Sequence, residues 1–100
     1  MIKHVILWKL KEGFSAAEKE TIKAGIKEGL ESLKGVVPGL EEIVVQTRGL
    51  ASSNADLMLD STFTDEEALK NYAIHSAHVE VANSKVRPFT EVRLCLDFEA

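Results

Sequence analysis

The segment from residue 2 to residue 10, Ile-Lys-His-Val-Ile-Leu-Trp-Lys-Leu, constrains the fold more than any other part of the chain. Successive side chains of a strand point to opposite sides, so the even-numbered positions share one face while Val5 and Leu7 lie on the other. Both faces are therefore apolar. A strand of this kind needs a covering layer on each side of its sheet.

The rest of the chain alternates helical and strand patterns in the order β-α-β-β-α-β. Ser15 and Glu18 match a capping box at the start of the first helix, and the segment 64–67 is a similar signal before the second. The predicted strands are 2–10, 40–48, 56–63 and 90–98, and the predicted helices are 15–34 and 66–84. This order predicts one α+β domain over residues 1–100, a ferredoxin-like four-stranded antiparallel sheet with both helices on one face.

Helices on one face leave the other face of the sheet uncovered. By alternation, that face carries Val5, Leu7, Val44 or a neighbour, and either Met58 or Leu59. A single protomer would expose too much apolar surface there. The pattern therefore predicts a homodimer in which the two sheets face each other.

The second helical segment holds Tyr72, His75 and His78, which include the only tyrosine and two of the three histidines. On an unbroken helix Tyr72 and His78 would lie ~120° apart around the axis. They can face one cavity only if the helix restarts between them. We predict two helical pieces that meet near Ser76, with the Ser76 hydroxyl capping the second piece.

Composition excludes several classes of function. The net charge is −4, and the lysines are interleaved with glutamates along residues 9–34, so we predict no nucleic-acid partner. No apolar run approaches the ~20 residues of a membrane span, so no membrane partner is expected. The one cysteine, Cys95, lies in an apolar strand pattern and is predicted to be buried and structural. The absence of a signal-peptide pattern favours a cytoplasmic location.

His78 is a candidate general base, because a neutral imidazole accepts protons near neutral pH. Tyr72 is a candidate for orienting a carbonyl oxygen, and His4 shares a strand face that could look toward both. Each also has a structural interpretation: a histidine bonded to a backbone carbonyl, a core aromatic, and a core histidine. His75 and His78 have metal-pair spacing, but no third ligand is indicated, so we predict no metal.

Several segments together resemble the stress-responsive A/B barrel domain (Dabb) family over essentially the whole chain. The matching segments are residues 2–10, Val37-Pro38-Gly39-Leu40, Asp56-Leu57-Met58-Leu59 with Phe63, residues 72–78, and Asp97-Phe98. The resemblance implies a dimeric α+β barrel built from two ferredoxin-like subunits. Most members have no assigned activity, and some plant members are polyketide cyclases that need no metal or organic cofactor.

In those cyclases a histidine at the position of His78 acts as acid/base, with a tyrosine at the position of Tyr72 and a histidine at that of His4. The resemblance thus implies catalytic roles for His78, Tyr72 and His4 and no cofactor. Further ligand contacts are predicted at Trp8, Leu30, Leu57 and His75.

Three functions stay open at this point. One is a dimer that binds a small hydrophobic or aromatic ligand in an apolar pocket between sheet and helices, with cofactor-free acid/base chemistry. Another is a structural or stress protein that acts by association alone. The third is a cofactor-free oxygenase of a related dimeric barrel fold.

Overall fold

The computed structural model describes all 100 residues and confirms the predicted order of elements. The strands are β1 (Ile2–Leu10), β2 (Leu40–Gln46), β3 (Leu57–Phe63) and β4 (Thr90–Glu99). The helices are α1 (Ala16–Glu31), α2 (Glu66–Ile74) and α3 (Ser76–Val81), and α3 continues into a π-helical turn, Ala82–Val86. The sheet has the order β2-β3-β1-β4 with all neighbours antiparallel, which is the ferredoxin-like arrangement. None of the helices is both long and apolar enough to span a membrane.

The start of α1 follows the predicted capping box. The backbone N–H of Glu18 donates to the Ser15 hydroxyl at 3.1 Å, and the N–H of Ser15 donates to the Glu18 carboxylate at 2.8 Å. Hydrogen bonding from Ser15 to the Glu18 carboxylate, first from the backbone N–H and then from the side chain, lowers the pKa of Glu18. The helix ends at Glu31, three residues before the predicted Lys34. The N–H of Leu33 bonds to the carbonyl of Leu30, so the chain tightens into turns before residue 34.

The core lies between the helices and one face of the sheet. Ile6 and Trp8 from β1 pack in one cluster with Ile26 and Leu30 from α1 and Tyr72 from α2. All five are almost completely buried. The helix side of β1 is therefore the face that carries the even-numbered residues.

The opposite side of the sheet, which we call the open face, has no covering layer within the protomer. Its apolar residues are Val5 and Leu7 of β1, Val44 of β2, Met58 of β3, and Val92, Leu94, Leu96 and Phe98 of β4. Leu94 and Leu96 are 63% and 65% exposed, and they pair in register with Leu7 and Val5. The alternation pattern predicted this face correctly, with Met58 rather than Leu59 on it.

The other side of β4 is polar and faces the helix side of the sheet. Arg93, Cys95 and Asp97 lie there, opposite Trp8, Ile6 and His4 respectively. β4 pairs along β1, and no helix packs closely over it. Cys95 is consequently exposed, and the prediction that it is buried is wrong.

The predicted break in the second helical segment is confirmed, but it lies at His75. His75 has an extended backbone (φ −65, ψ 132) that separates α2 from α3. The N–H of Ala77 donates to Nδ1 of the His75 ring at 3.1 Å. His75 therefore caps α3, and the predicted cap by Ser76 is wrong because Ser76 is already the first helical residue.

Gly39, in the turn before β2, offers a test of this packing. Its φ is +81°, and a Cβ there would lie 2.5 Å from the Cβ of Ala68. We expect Gly39→Ala to lower the free energy of unfolding by about 2–5 kcal/mol, from left-handed strain plus overpacking. Gly13→Ala is the matched control, because Gly13 has φ +98° with nothing within 4 Å, and should cost about 1–2 kcal/mol. Urea denaturation measures both, and equal losses would contradict the contact with Ala68.

Candidate functional site

A cavity of about 950 Å³ lies between the helices and the exposed polar side of β4. This volume is typical of small-molecule sites. Its apolar wall includes Ile2, Ile6, Trp8, Leu30, Leu59, Leu69 and Val86. Its polar lining includes His4, Tyr72, His78, Arg87, Arg93, Cys95 and Asp97.

The three candidate catalytic residues meet in this cavity from three different elements. β1 supplies His4, α2 supplies Tyr72 and α3 supplies His78. The ring centroids of Tyr72 and His78 are 4.1 Å apart, and those of His4 and Tyr72 are 6.1 Å apart. The backbone break at His75 makes this possible, since a continuous helix would turn Tyr72 and His78 to different sides.

Tyr72 is the most buried of the three, with 1% of its surface exposed. Its hydroxyl group is buried and has no hydrogen-bond partner. Burial raises the pKa of Tyr72 well above its ordinary value, although the nearby charge of Arg93 acts in the opposite direction. The hydroxyl is therefore protonated at neutral pH. Leaving such a group unpaired costs about 1–3 kcal/mol, which an acceptor atom of a ligand would offset.

His78 is partly buried beside the Tyr72 ring. Burial is the main cause that lowers the pKa of His78, and the positive charges of His4, Arg87 and Arg93 add to it. Its Nδ1 lies 3.4 Å from the carbonyl oxygen of Ala73, a contact that raises the pKa and only partly offsets these effects. His78 is thus neutral at pH 7. With a proton on Nδ1, its Nε2 is free to accept another.

His4 is held by β4. His4 is only 6% exposed. Nδ1 of its ring forms a hydrogen bond with the carboxylate of Asp97, the residue that pairs with His4 in the register of β1 and β4. The Cys95 thiol donates to the same carboxylate at 3.4 Å. Burial, followed by the contact with Asp97, raises the pKa of Cys95, so this group is a thiol and not a thiolate. Asp97 thereby fixes the orientation of the His4 ring.

Asp97, Cys95 and the two arginines were absent from the site predicted from the sequence. The signal that could have found Asp97 and Cys95 is the alternation of β4, which places Arg93, Cys95 and Asp97 on one side of the strand. Recognising that this side faces His4 requires the register between β1 and β4, which the sequence pattern does not provide.

The ligand atoms of His4, Cys95 and Asp97 lie within 4.8 Å of one another. Imidazole, thiol and carboxylate groups are also the side chains that bind metals in proteins, so this cluster was considered as a metal site. The Asp97 carboxylate is already hydrogen-bonded to Nδ1 of His4 and to the thiol of Cys95, so the atoms that a metal would bind are engaged with each other. The His75–His78 pair considered from spacing does not form such a group, because the His75 ring caps α3.

Two of the four residues predicted as further ligand contacts line the cavity, and the other two do not. Trp8 and Leu30 line the cavity. Leu57 is 2% exposed and belongs to the core, outside the cavity lining. His75 is also outside it and has the capping role described above.

Comparisons with solved structures support this fold. A dimeric protein of unknown function with a ferredoxin-like fold from Bacteroides fragilis is 27% identical, with a TM-score of 0.92, and the match covers 99% of this chain and 95% of that one. A dimeric ferredoxin-like protein of unknown function from Thermobifida fusca is 19% identical, with a TM-score of 0.78 and coverage of 99% and 90%. The hydroxynitrile lyase of Passiflora edulis is 19% identical, with a TM-score of 0.72 and coverage of 97% and 90%.

The last two identities are low enough that the likeness concerns the fold alone. No significant match was found among curated proteins. The sequence matches one family over residues 2–100, nearly its full length. The chain belongs to the stress-responsive A/B barrel domain (Dabb) family.

Proposed function

We propose that the cavity binds a small aromatic or other apolar carbonyl compound and that His78, Tyr72 and His4 perform acid/base chemistry on it without a metal or organic cofactor. The observation that carries this proposal is the buried, unpaired hydroxyl of Tyr72, whose ring centroid lies 4.1 Å from that of His78, a residue that is neutral at pH 7. A protonated donor beside a neutral base is the pair needed to remove a proton next to a carbonyl group.

In this mechanism the Tyr72 hydroxyl donates a hydrogen bond to the carbonyl oxygen of the ligand. Nε2 of His78 accepts a proton from the adjacent carbon, and the electron pair of that C–H bond forms the enolate. The Tyr72 hydrogen bond stabilises the negative charge that develops on the oxygen. The resulting imidazolium of His78 returns its proton to the enolate or to a product oxygen, which restores both groups.

His4 has a supporting role in this proposal. The Asp97 carboxylate accepts the hydrogen bond from Nδ1 of His4, which holds the His4 ring in a fixed orientation. The His4 ring is T-shaped to that of Tyr72, with 68° between their planes. We infer that His4 orients the ligand or the Tyr72 ring and that Asp97 acts through His4 as a positioning residue.

The functional unit in this proposal is a homodimer joined through the open face. The Bacteroides fragilis and Thermobifida fusca proteins, which share the fold, are described as dimeric. The open face has eight apolar residues and no cover in the protomer, which supports this assembly. The cavity lies mostly on the opposite side of the sheet, and Phe98 of the open face also borders it.

The size of the cavity favours ligand binding over a barrel that acts only by association. A structural role would be best served by side chains that fill the space below Tyr72 and His78. The volume of about 950 Å³ supports the binding function instead.

Ligand binding provides the test. We expect the wild-type dimer to bind phenylacetone and Tyr72→Phe to bind it about five- to tenfold more weakly, since the variant loses one hydrogen bond. Propylbenzene, which has the same shape without the carbonyl oxygen, should bind both proteins equally. Thermal shift and NMR titration measure the affinities. An affinity for phenylacetone that is the same in wild type and Tyr72→Phe would contradict the role of the hydroxyl.

A further inference from the structure

Charged side chains are distributed unevenly along the cavity. Arg93 lies opposite Trp8 at one end of the β1–β4 pair, and Glu99 lies opposite Ile2 at the other. Arg93 and Glu99 are six positions apart along β4, which is about 20 Å. The cavity therefore has a cationic end near Arg93, and its carboxylates, apart from the Asp97 bonded to His4, lie toward the other end.

At the far end the charges are mixed. Glu66, in the first turn of α2, and Glu99 line the cavity there, and Lys70 lies one helical turn after Glu66. At the end of the cavity near Arg93, the second charged residue is Arg87, so both charges there are positive. Arg87 follows the π-helical turn and precedes β4, next to the end of β4 that carries Arg93.

Neither Arg87 nor Arg93 forms an ion pair with a carboxylate, and all four ion pairs of the structure involve Lys3, His4, Lys27 or Lys34. The guanidinium group of Arg87 donates to the neutral side-chain oxygen of Asn83. Both arginines lie close enough to His78 to lower its pKa, and Arg93 also acts on Tyr72. Two arginines without a carboxylate partner thus line the same cavity as Tyr72 and His78.

We propose that Arg87 and Arg93 form an anion subsite that binds the carboxylate of an aromatic keto acid. This inference rests on the proposed function and specifies its substrate class. The planar guanidinium group matches a carboxylate with two parallel hydrogen bonds. The apolar wall at this end, with Trp8 and Leu30, suits an aromatic skeleton. The carboxylate at the arginines then directs the keto group toward Tyr72.

The test compares an acid with its neutral ester. The probes are para-acetylbenzoate and methyl para-acetylbenzoate, titrated against the wild-type protein by NMR or calorimetry. We expect the acid to bind about tenfold or more tightly than the ester, as a charge-assisted pair requires. Arg93→Gln and Arg87→Gln should remove most of this preference and leave the affinity for the ester unchanged.

Arg48→Gln is the matched control, because Arg48 is an exposed arginine outside the cavity lining and its loss changes the net charge equally. It should keep the preference for the acid. The subsite is overturned if Arg48→Gln reduces the preference for the acid as much as Arg93→Gln does. It is also overturned if acid and ester bind equally, or if neither binds at millimolar concentration. Inorganic phosphate that binds the arginines more tightly than para-acetylbenzoate would reassign the subsite to free phosphate and overturn the keto-acid class.

The two proposals can fail separately. Tyr72→Phe should weaken acid and ester by the same factor, because both probes carry the keto group. If Tyr72→Phe weakens both probes while the arginine variants change neither, the anion subsite is refuted and the proposed function stands. If the arginine variants remove the acid preference and Tyr72→Phe has no effect, the anion subsite stands without the proposed acid/base pair.

Discussion

Leu96→Asp is expected to convert the proposed homodimer into monomers. Leu96 is 65% exposed in the protomer, lies opposite Val5 in the register and belongs to the apolar open face. In a symmetric sheet-to-sheet dimer the substitution places two uncompensated carboxylates in the interface. Burying an unpaired charge costs several kcal/mol, so we expect the dimer dissociation constant to rise by about a hundredfold or more. Leu7→Asp, on the adjacent strand, should have the same effect.

Ile74→Asp is the matched control for this prediction. Ile74 is 78% exposed, but it lies at the end of α2, away from the open face. The same type of substitution there should leave the protein dimeric. Sedimentation velocity at micromolar concentration distinguishes the two species. A Leu96→Asp protein that remains a dimer would refute association through the open face.

His78→Gln is expected to abolish proton transfer while the fold is retained. Glutamine keeps a polar side chain of similar length, but it cannot act as a base near neutral pH. Loss of a general base typically lowers a rate by about a hundredfold to ten-thousandfold. The reaction to follow is deuterium exchange at the carbon next to the carbonyl of phenylacetone in heavy water. The melting temperature and the dimeric state should change little, because His78 is only partly buried.

His75→Gln separates chemistry from structure in the same segment. The His75 ring caps α3 and does not line the cavity. This variant should lose about 1 kcal/mol of stability, the usual effect of removing a helix cap, and keep its exchange rate. If instead His78→Gln keeps the full exchange rate, or unfolds the protein, His78 has a structural role and the catalytic assignment is wrong.

Local patterns were sufficient to predict the fold. The alternation in β1 identified a strand with two apolar faces, and Val5 and Leu7 lie on the open face as that alternation requires. The capping box of Ser15 and Glu18 forms with both of its hydrogen bonds. Each of these features depends on residues close together in the chain, so the sequence alone contains the information.

The site was only partly predictable, because it depends on pairs that are distant in sequence. Tyr72 and His78 were expected to need a helix break, and the structure has one. Asp97 is 93 residues from His4, and only the antiparallel register of β1 and β4 brings them together. Cys95 was misassigned for the same reason. The alternation of apolar and polar residues distinguishes the two faces of β4. It does not show that the helices leave this edge strand uncovered.

The arginines illustrate a different difficulty. Charged residues are usually solvated, so Arg87 and Arg93 carry no distinctive signal in the sequence. The two arginines are candidates for anion binding because neither forms an ion pair with a carboxylate in the structure. That property depends on the positions of all acidic side chains at once, and no local pattern encodes it.

The exchange of phenylacetone protons by the wild-type protein, followed by proton NMR in heavy water as a function of pH, tests the proposed acid/base site most directly. The neutral form of His78 is the base, and its pKa is lowered chiefly by burial. We therefore expect catalysed exchange that rises with pH, reaches half of its maximum below about 6.5, the ordinary histidine value, and stays level through neutrality. Exchange no faster than in protein-free buffer at every pH would contradict an acid/base function for this cavity.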